Sequence, residues 1–214
     1  VKLPPTALIS TMFSLDITGA FLYQTRYIKI RANSNRWLCK AAKIRACRDW
    51  AFCAAIKGDA MKAGCYTALT TPFQGDDIDW TGLDRLIDFQ IQNGITGILA
   101  VGTTGESPVL NWQQHNEVTK KIAQKTRNKC LCIAGTGSNN TRETLEGTRH
   151  ALDYGVQGVL LVDPYYNGPS SLEIRREYVA PVAKAFPKLD IIPYVIPGRT
   201  GAQLLPEDLG LLFK

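Results

Sequence analysis

The sequence predicts an α/β fold made of repeated βα units around a parallel sheet. Short apolar runs recur along the chain, and each one leads directly into a loop of Gly, Thr, Asn or Pro. A helical pattern follows each loop, which is typical of βα units. The five apolar runs are Cys65–Leu69, Gly97–Val101, Cys130–Ala134, Val156–Val162 and Ile191–Ile196. Chemistry in such folds gathers at the carboxyl ends of the strands, so the loops after these runs form the candidate site.

Capping residues and apolar spacing place the helices between these strands. The first helix is predicted from Trp80 to Gln92 with Asp79 as its N-cap, and the second begins after Asn111 with Gln114 completing a capping box. Three further helices are predicted: one from Asn140 to Gly155 with Glu143 completing its capping box, one from Ser171 to Phe186, and one beginning near Pro206.

The number of units points to a barrel rather than an open sheet. Five units fill residues 65–214, whereas a (β/α)8 TIM barrel takes about 250 residues. We therefore expect about the first five βα units of such a barrel, over residues 61–214. A doubly wound sheet, the alternative, calls for a Gly-rich fingerprint after its first strand, and Thr70-Thr71-Pro72-Phe73 is not one.

Residues 1–60 differ from the rest in charge. They hold ten Lys or Arg and three Asp or Glu, a net charge of +7, which leaves −1 for the other 154 residues. We expect a basic N-terminal extension that is either an organelle-targeting arm or sequence translated upstream of a start at Met61. The βα part has no basic patch interleaved with aromatic residues, which argues against nucleic-acid binding. The apolar run 7–23 is interrupted by Asp16, so no membrane span is predicted.

The cysteine pattern favours a reducing compartment, and hence the cytoplasm. Cys130 and Cys132 are separated by one residue on a strand, which is a poor spacing for a zinc site. The two histidines, His115 and His150, both fall in predicted helices. We therefore expect free thiols and no metal, flavin, nicotinamide or pyridoxal site.

Three features of the loops suggest chemistry on a small carboxylate. The run Gly102–Ser107 offers main-chain N–H groups and hydroxyls that suit a carboxylate or phosphate. Tyr194 lies near the end of the fifth strand, where a phenol can donate or accept a proton. Arg199 follows closely and can bind a carboxylate with two hydrogen bonds. Each of these residues could instead serve in packing or as a solvated loop charge.

Four of these loops together resemble the motif series of the dihydrodipicolinate synthase family, within the pyruvate-dependent class I aldolases. The four loops are Gly102–Ser107, Gly135–Asn139, Pro164–Asn167 and Pro197–Gly201. The resemblance covers residues 61–214 and none of residues 1–60. It implies condensation of pyruvate with aspartate semialdehyde in lysine biosynthesis, through a Schiff base between pyruvate and a lysine. It also implies a homotetramer built from tight dimers.

The resemblance also implies roles for individual residues. Thr104 would hold the pyruvate carboxylate, and Arg199 would bind the carboxylate of the semialdehyde. Tyr194, Thr103 and Tyr166 would relay protons, with Tyr166 reaching in from a neighbouring subunit. The Schiff-base lysine is expected about one βα unit beyond Tyr194, and therefore beyond Lys214, so that this chain alone would be inactive.

Two departures from the family pattern keep other functions open. Val195 stands where the family usually has Asn, and Gly198 stands where it usually has Ser. A sugar-acid or sialic-acid aldolase of the same superfamily remains an alternative. A non-catalytic remnant that binds pyruvate, another small carboxylate, or nothing is another.

Overall fold

The computed structural model describes residues 12–15 and 61–212, and all structural statements below concern these residues. The basic extension proposed for residues 1–60 lies outside this part of the chain apart from Met12–Leu15, and so does Lys214. Met12–Leu15 forms strand β1, which the sequence pattern did not predict. Its backbone pairs antiparallel with the next strand and covers that edge of the sheet.

The main sheet contains the five parallel strands that the sequence predicts. They are β2 (Gly64–Ala68), β5 (Gly97–Ala100), β6 (Leu131–Gly135), β7 (Gly158–Val162) and β8 (Asp190–Tyr194). The sheet order is β1-β2-β5-β6-β7-β8, so parallel strands that follow each other in this series lie side by side. A small antiparallel hairpin, β3 (Phe73–Gln74) with β4 (Asp77–Ile78), precedes the first helix.

Helices follow each parallel strand. The longer ones are α1 (Trp80–Gln92), α2 (Trp112–Thr126) and α3 (Thr141–Tyr154). After β7 come α4 (Ser171–Glu173), a π-helical segment (Ile174–Val179) and α5 (Ala180–Ala185); after β8 come α6 (Pro197–Thr200) and α7 (Pro206–Leu211). None of the helices described is long and apolar enough to span a bilayer.

Side-chain caps set the helix starts as predicted in two cases, and the third differs in part. Asp79 accepts from the Gly82 N–H at 2.7 Å, and Asn111 forms a full capping box with Gln114. Asn140 caps α3 through the Arg142 N–H, but the predicted box with Glu143 is wrong. The Glu143 carboxylate instead accepts the Ser138 hydroxyl at 2.6 Å, because that hydroxyl lies closer in the preceding loop.

Two apolar clusters lie on the two faces of the sheet. The larger packs helices against one face, with Leu83, Ile122 and Val182 among its fully buried members. The smaller consists of residues that face the other side of the strands, including Tyr66, Leu160 and Tyr194, together with Ile196 just beyond β8. Helices on one face and strand side chains packed together on the other are the layers of a TIM barrel. This arrangement brings the loops at the strand carboxyl ends to one edge.

Candidate active site

A cavity of about 320 Å³ opens at the carboxyl ends of the strands. Loops after β5, β6, β7 and β8 contribute to it as the sequence predicts, whereas the loop after β2, which was also expected there, supplies none of its lining residues. Its lining residues are Val101, Gly102, Thr103, Ser107, Pro108, Leu110, Trp112, His115, Gly135, Gly137, Ser138, Leu160, Val162, Tyr165, Tyr194, Ile196, Arg199 and Thr200. Among these residues are three of the five predicted site residues, Thr103, Tyr194 and Arg199.

Tyr194 is the last residue of β8, and its side chain is buried at the cavity wall. Burial raises the pKa of its phenol, while the positive charge of Arg199 and a hydrogen bond with the Thr103 side chain partly oppose that effect. Because the net shift is upward, the phenol keeps its proton at neutral pH. Arg199 and Thr103 therefore both influence the pKa of the Tyr194 phenol. This phenol can donate a proton into the cavity.

Arg199 is presented by a short helical turn. Its main-chain N–H donates to the Ile196 carbonyl at 2.9 Å at the start of α6, a helical turn where the sequence pattern predicts a loop. The neighbouring Thr200 hydroxyl is buried between the carbonyls of Ile196 and Ala202, at 3.1 and 2.8 Å. The turn is therefore anchored on its inner side, while the Arg199 side chain is exposed at the cavity mouth.

The loop after β5 is held by the loop after β2. The Thr71 hydroxyl donates to the Gly105 carbonyl at 2.7 Å, and both residues are buried. The loop folds into a 3₁₀ turn over Thr103–Gly105. Val101, which leads into it, has a φ of 46°, a left-handed conformation that is strained for a β-branched residue. Such strain at the edge of a cavity is maintained by the surrounding packing.

The other two predicted site residues do not line the cavity. Thr104 is half-buried in the 3₁₀ turn next to Thr103. Tyr166 is 79% exposed, and its neighbour Tyr165 reaches the cavity instead. The roles assigned to Thr104 and Tyr166 therefore remain predictions.

His115 and Trp112, both on α2, line the cavity. Neither was among the predicted site residues. His115 is buried, and its Nε2 lies 2.9 Å from the Gly135 carbonyl. That carbonyl can only accept, so Nε2 carries the proton, and Nδ1 is left without a partner among the described residues. Burial lowers the pKa of this imidazole. The signal available in the sequence was its position on the apolar stripe of α2, with Val118 and Ile122 one and two turns on.

Asp163 is a second residue that the sequence reasoning missed. It directly follows β7, is fully buried and is not among the residues that line the cavity. Burial raises the pKa of its carboxyl from 3.8 to about 6. A charged residue placed immediately after an apolar strand was the signal that could have identified it.

The parallel sheet with helices on one face and a cavity at the strand carboxyl ends defines an α/β protein of the TIM-barrel class. Residues 61–214 match the Dihydrodipicolinate synthetase family, and the chain belongs to that family. The resemblance seen in the four loop motifs is thereby confirmed.

Relatives and solved structures agree with this assignment. The 4-hydroxy-tetrahydrodipicolinate synthase of Syntrophus aciditrophicus is 44% identical over 154 residues, covering 72% of this chain and 52% of the relative. That of Methanococcus maripaludis is 42% identical over 151 residues, covering 71% and 52%. The crystal structure of dihydrodipicolinate synthase from Aquifex aeolicus superposes with a TM-score of 0.67 at 38% identity, over 70% of this chain and 50% of that one. The chain spans about half the length of the relatives it matches.

Proposed function

We propose that this chain supplies the cavity and proton-transfer groups of a lyase that condenses pyruvate with aspartate semialdehyde to 4-hydroxy-tetrahydrodipicolinate. Family membership supports this reaction, which serves lysine biosynthesis. The observation that carries the proposal is the convergence of Thr103, Tyr194 and Arg199 on one cavity. Because the chain spans half of its relatives, the activity is proposed for the protein of family length.

Carboxylate recognition is assigned to Thr104 and Arg199. Thr104 stands in the turn Thr103–Gly105, where a hydroxyl and main-chain N–H groups can bind the pyruvate carboxylate. Arg199 carries its guanidinium at the open mouth of the cavity, where it can form paired hydrogen bonds with the carboxylate of the semialdehyde.

Proton transfer is assigned to Tyr194, Thr103 and Tyr166. The lysine amine adds to the keto carbon of pyruvate, and the resulting hydroxyl must be protonated to leave as water. Tyr194 is suited to this step because its phenol stays protonated at neutral pH. Thr103 lines the same cavity as Tyr194, and its hydroxyl can pass a proton onward without placing another charge beside the amine. Loss of a methyl proton then gives the enamine, whose carbon attacks the aldehyde, and the aldehyde oxygen takes up a proton.

Tyr166 completes this relay only through assembly. Its side chain points into solvent within one chain, so we assign it to the cavity of a neighbouring subunit in a tight dimer of the proposed homotetramer.

The free thiols of Cys65, Cys130 and Cys132 suit a reducing compartment, and we place the reaction in the cytoplasm.

The Schiff-base lysine is assigned to a position beyond residue 214. No lysine is among the residues that line the cavity in the described part of the chain. The test is a borohydride trap with pyruvate, followed by peptide mass spectrometry. We expect no adduct on the 214-residue chain and a reduced adduct on a polypeptide of family length that contains it. A stable adduct on the short chain would overturn this assignment of the lysine.

A sugar-acid aldolase is the second candidate, and Gly198 is the observation that favours it. Gly198 is exposed, and no atom lies within 4 Å of the position that a Cβ on it would occupy, so the chain is open on this side of the turn that carries Arg199. Replacing Arg199 with Ala in the family-length protein separates the two functions. We expect KM for aspartate semialdehyde to rise by more than tenfold, with Arg127→Ala, an exposed arginine at the end of α2, as the control. Unchanged turnover of the semialdehyde would favour the sugar-acid alternative.

A further inference from the structure

Asp163 connects the end of β7 to two other segments of the chain. Its main-chain N–H donates to the Tyr194 carbonyl at 3.3 Å. Its side-chain Oδ2 accepts the Leu204 N–H at 3.1 Å, in a buried contact between residues 41 positions apart. One residue therefore contacts the backbone at both Tyr194 and Leu204. The next residues along the chain, Pro164 to Tyr166, belong to the loop that carries the proposed relay tyrosine.

The segment between Tyr194 and Leu204 carries Arg199. Because Asp163 binds both ends of this segment, it closes the segment into a loop fixed against β7. Within the loop, the Thr200 hydroxyl bonds to two carbonyls, so the turn that presents Arg199 is held from inside as well. Movement of Leu204 relative to β7 would carry the Arg199 turn with it.

The surroundings of the Asp163 carboxyl make this contact costly to keep. The side chain is fully buried, and its Oδ1 has no hydrogen-bond partner among the described residues. The segment 200–205, which contains its partner Leu204, has no ionisable side chain. Tyr178 lies in the π-helical segment, and its phenol faces Asp163. The negative charge of Asp163 contributes to raising the pKa of that phenol. An apolar residue at this position would avoid the cost of burial, but it could not accept the Leu204 N–H.

We infer that Asp163 is a positioning residue that sets the place of the Arg199 turn relative to Tyr194 by binding both ends of the loop between them. The link to substrate rests on the proposed function, in which Arg199 binds the carboxylate of the aldehyde. The link to the loop does not, because it concerns hydrogen bonds within this chain alone.

Amide hydrogen exchange on the 214-residue chain tests the link to the loop. We expect Asp163→Ala to speed exchange of the amides of Leu204 and of residues 199–201 by about tenfold, the ratio expected for one lost buried hydrogen bond. Asp163→Asn keeps a carbonyl oxygen that can accept the Leu204 N–H, so its exchange should stay within about threefold of the parent. Asp153→Asn, which removes the same charge from an exposed site on α3, is the control and should change nothing.

A pH titration of the unaltered chain gives a second readout that needs no variant. The ¹⁵N shift of the Leu204 amide should follow the titration of the Asp163 carboxyl, with a midpoint near 6. That inflection should be absent in Asp163→Asn. Should Asp163→Ala fail to fold, this titration decides, since a Leu204 shift that follows no carboxyl titration at any pH at which the chain is folded overturns the link. Equal exchange in Asp163→Ala and the parent overturns it as well.

Kinetics in the family-length protein separate this inference from the proposed function. Asp163→Ala should raise KM for the semialdehyde by about tenfold with kcat changed less than threefold, and Asp163→Asn should restore KM. If the loop amides respond but no semialdehyde is turned over by any form, the proposed function fails and the loop assignment stands. If turnover is normal and neither KM nor loop exchange responds to Asp163→Ala, the positioning role fails and the function stands.

Discussion

The side-chain oxygen of Asn139 accepts the main-chain N–H of Tyr166 at 3.0 Å, so the loop after β6 fixes the loop after β7. The same oxygen accepts the N–H of Tyr165 at 2.7 Å. Two consecutive N–H groups directed at one acceptor define the backbone of the tyrosine pair even though both side chains are exposed. In the proposed relay, the tyrosine that would enter a neighbouring subunit is one whose backbone Asn139 already holds within its own chain.

Replacing Asn139 with Ala is therefore expected to loosen the tyrosine pair. Both N–H groups lose their acceptor, and amide exchange at Tyr165 and Tyr166 should become several-fold faster, since an exposed hydrogen bond contributes about 0.5–1.5 kcal/mol. Asn139→Asp keeps an oxygen at the same place and should preserve slow exchange. Asn93→Ala, at the distant end of α1, serves as the control. Identical exchange in Asn139→Ala and Asn139→Asp would contradict this role.

Gly135 is expected to tolerate no side chain. A Cβ built on it would lie 2.5 Å from the Val101 carbonyl oxygen and 3.1 Å from the Gly102 Cα, and both are backbone atoms with little freedom to move. Gly135→Ala should lower the free energy of unfolding by about 1–3 kcal/mol, as overpacking does in other cores.

Gly210→Ala is the matched control: it lies in α7 with no atom within 4 Å of its Cβ position. It should be neutral or stabilising by about 0.5–1 kcal/mol. Urea unfolding measures both, and equal stabilities would contradict the predicted clash.

The strand and helix series followed from the sequence because burial and capping are local signals. The caps at Asp79 and Asn111 occur at the predicted residues, since a short polar side chain before an apolar stripe has few other roles. The predicted helix from Ser171 to Phe186 has the right extent but contains a π-helical segment, Ile174–Val179. Pro181 was the available signal: it lacks the N–H that would bond Glu177, whose carbonyl instead accepts the Thr141 hydroxyl at 2.9 Å.

The candidate site was predictable only where a motif carries the chemistry. Thr103, Tyr194 and Arg199 converge as expected because carboxyl ends of parallel strands share one edge. His115 and Asp163 were missed because their positions depend on tertiary hydrogen bonds. The ring of His115 bonds to the carbonyl of Gly135, twenty positions away, and the carboxylate of Asp163 accepts the N–H of Leu204. Periodicity assigns such residues to the core or to a loop. It does not predict which backbone group their side chains will hydrogen-bond.

Asp163 should make the protein less stable as the pH rises from about 4 to 7. Its carboxyl has a pKa of about 6 in the folded chain against an ordinary value of 3.8, so the folded state binds more protons across that interval. The stabilisation is complete below the ordinary pKa and is lost as the pH passes through 6. Its size is on the order of 3 kcal/mol, because one pKa unit corresponds to about 1.4 kcal/mol. Urea unfolding of the parent and of Asp163→Asn at pH 4.5 and 7.5 measures about two thirds of it, because pH 4.5 lies above the ordinary pKa of the carboxyl.

The expected result is that Asp163→Asn gains stability over the parent on going from pH 4.5 to 7.5. Asp153→Asn, an exposed carboxyl, should show no such gain. If the difference between Asp163→Asn and the parent is the same at both pH values, the carboxyl is not titrating as its burial implies.

His115 should produce the opposite slope. Burial lowers the pKa of its imidazole below 6.5, so the unfolded chain takes up the proton first and stability is lost as the pH falls below that value. His115→Gln keeps an N–H that can reach the Gly135 carbonyl and cannot titrate, so it should remove the acid-side loss while leaving stability at pH 8 nearly unchanged. His115→Leu leaves that carbonyl without its donor and should cost about 1–3 kcal/mol at pH 8. This cost should shrink as the pH falls, because leucine cannot titrate and escapes the acid-side loss of the parent. His150→Gln, which alters the other histidine, on α3, is the control and should keep the slope of the parent. Persistence of the full acid-side loss in His115→Gln would mean that another group, and not this buried ring, takes up the proton on unfolding.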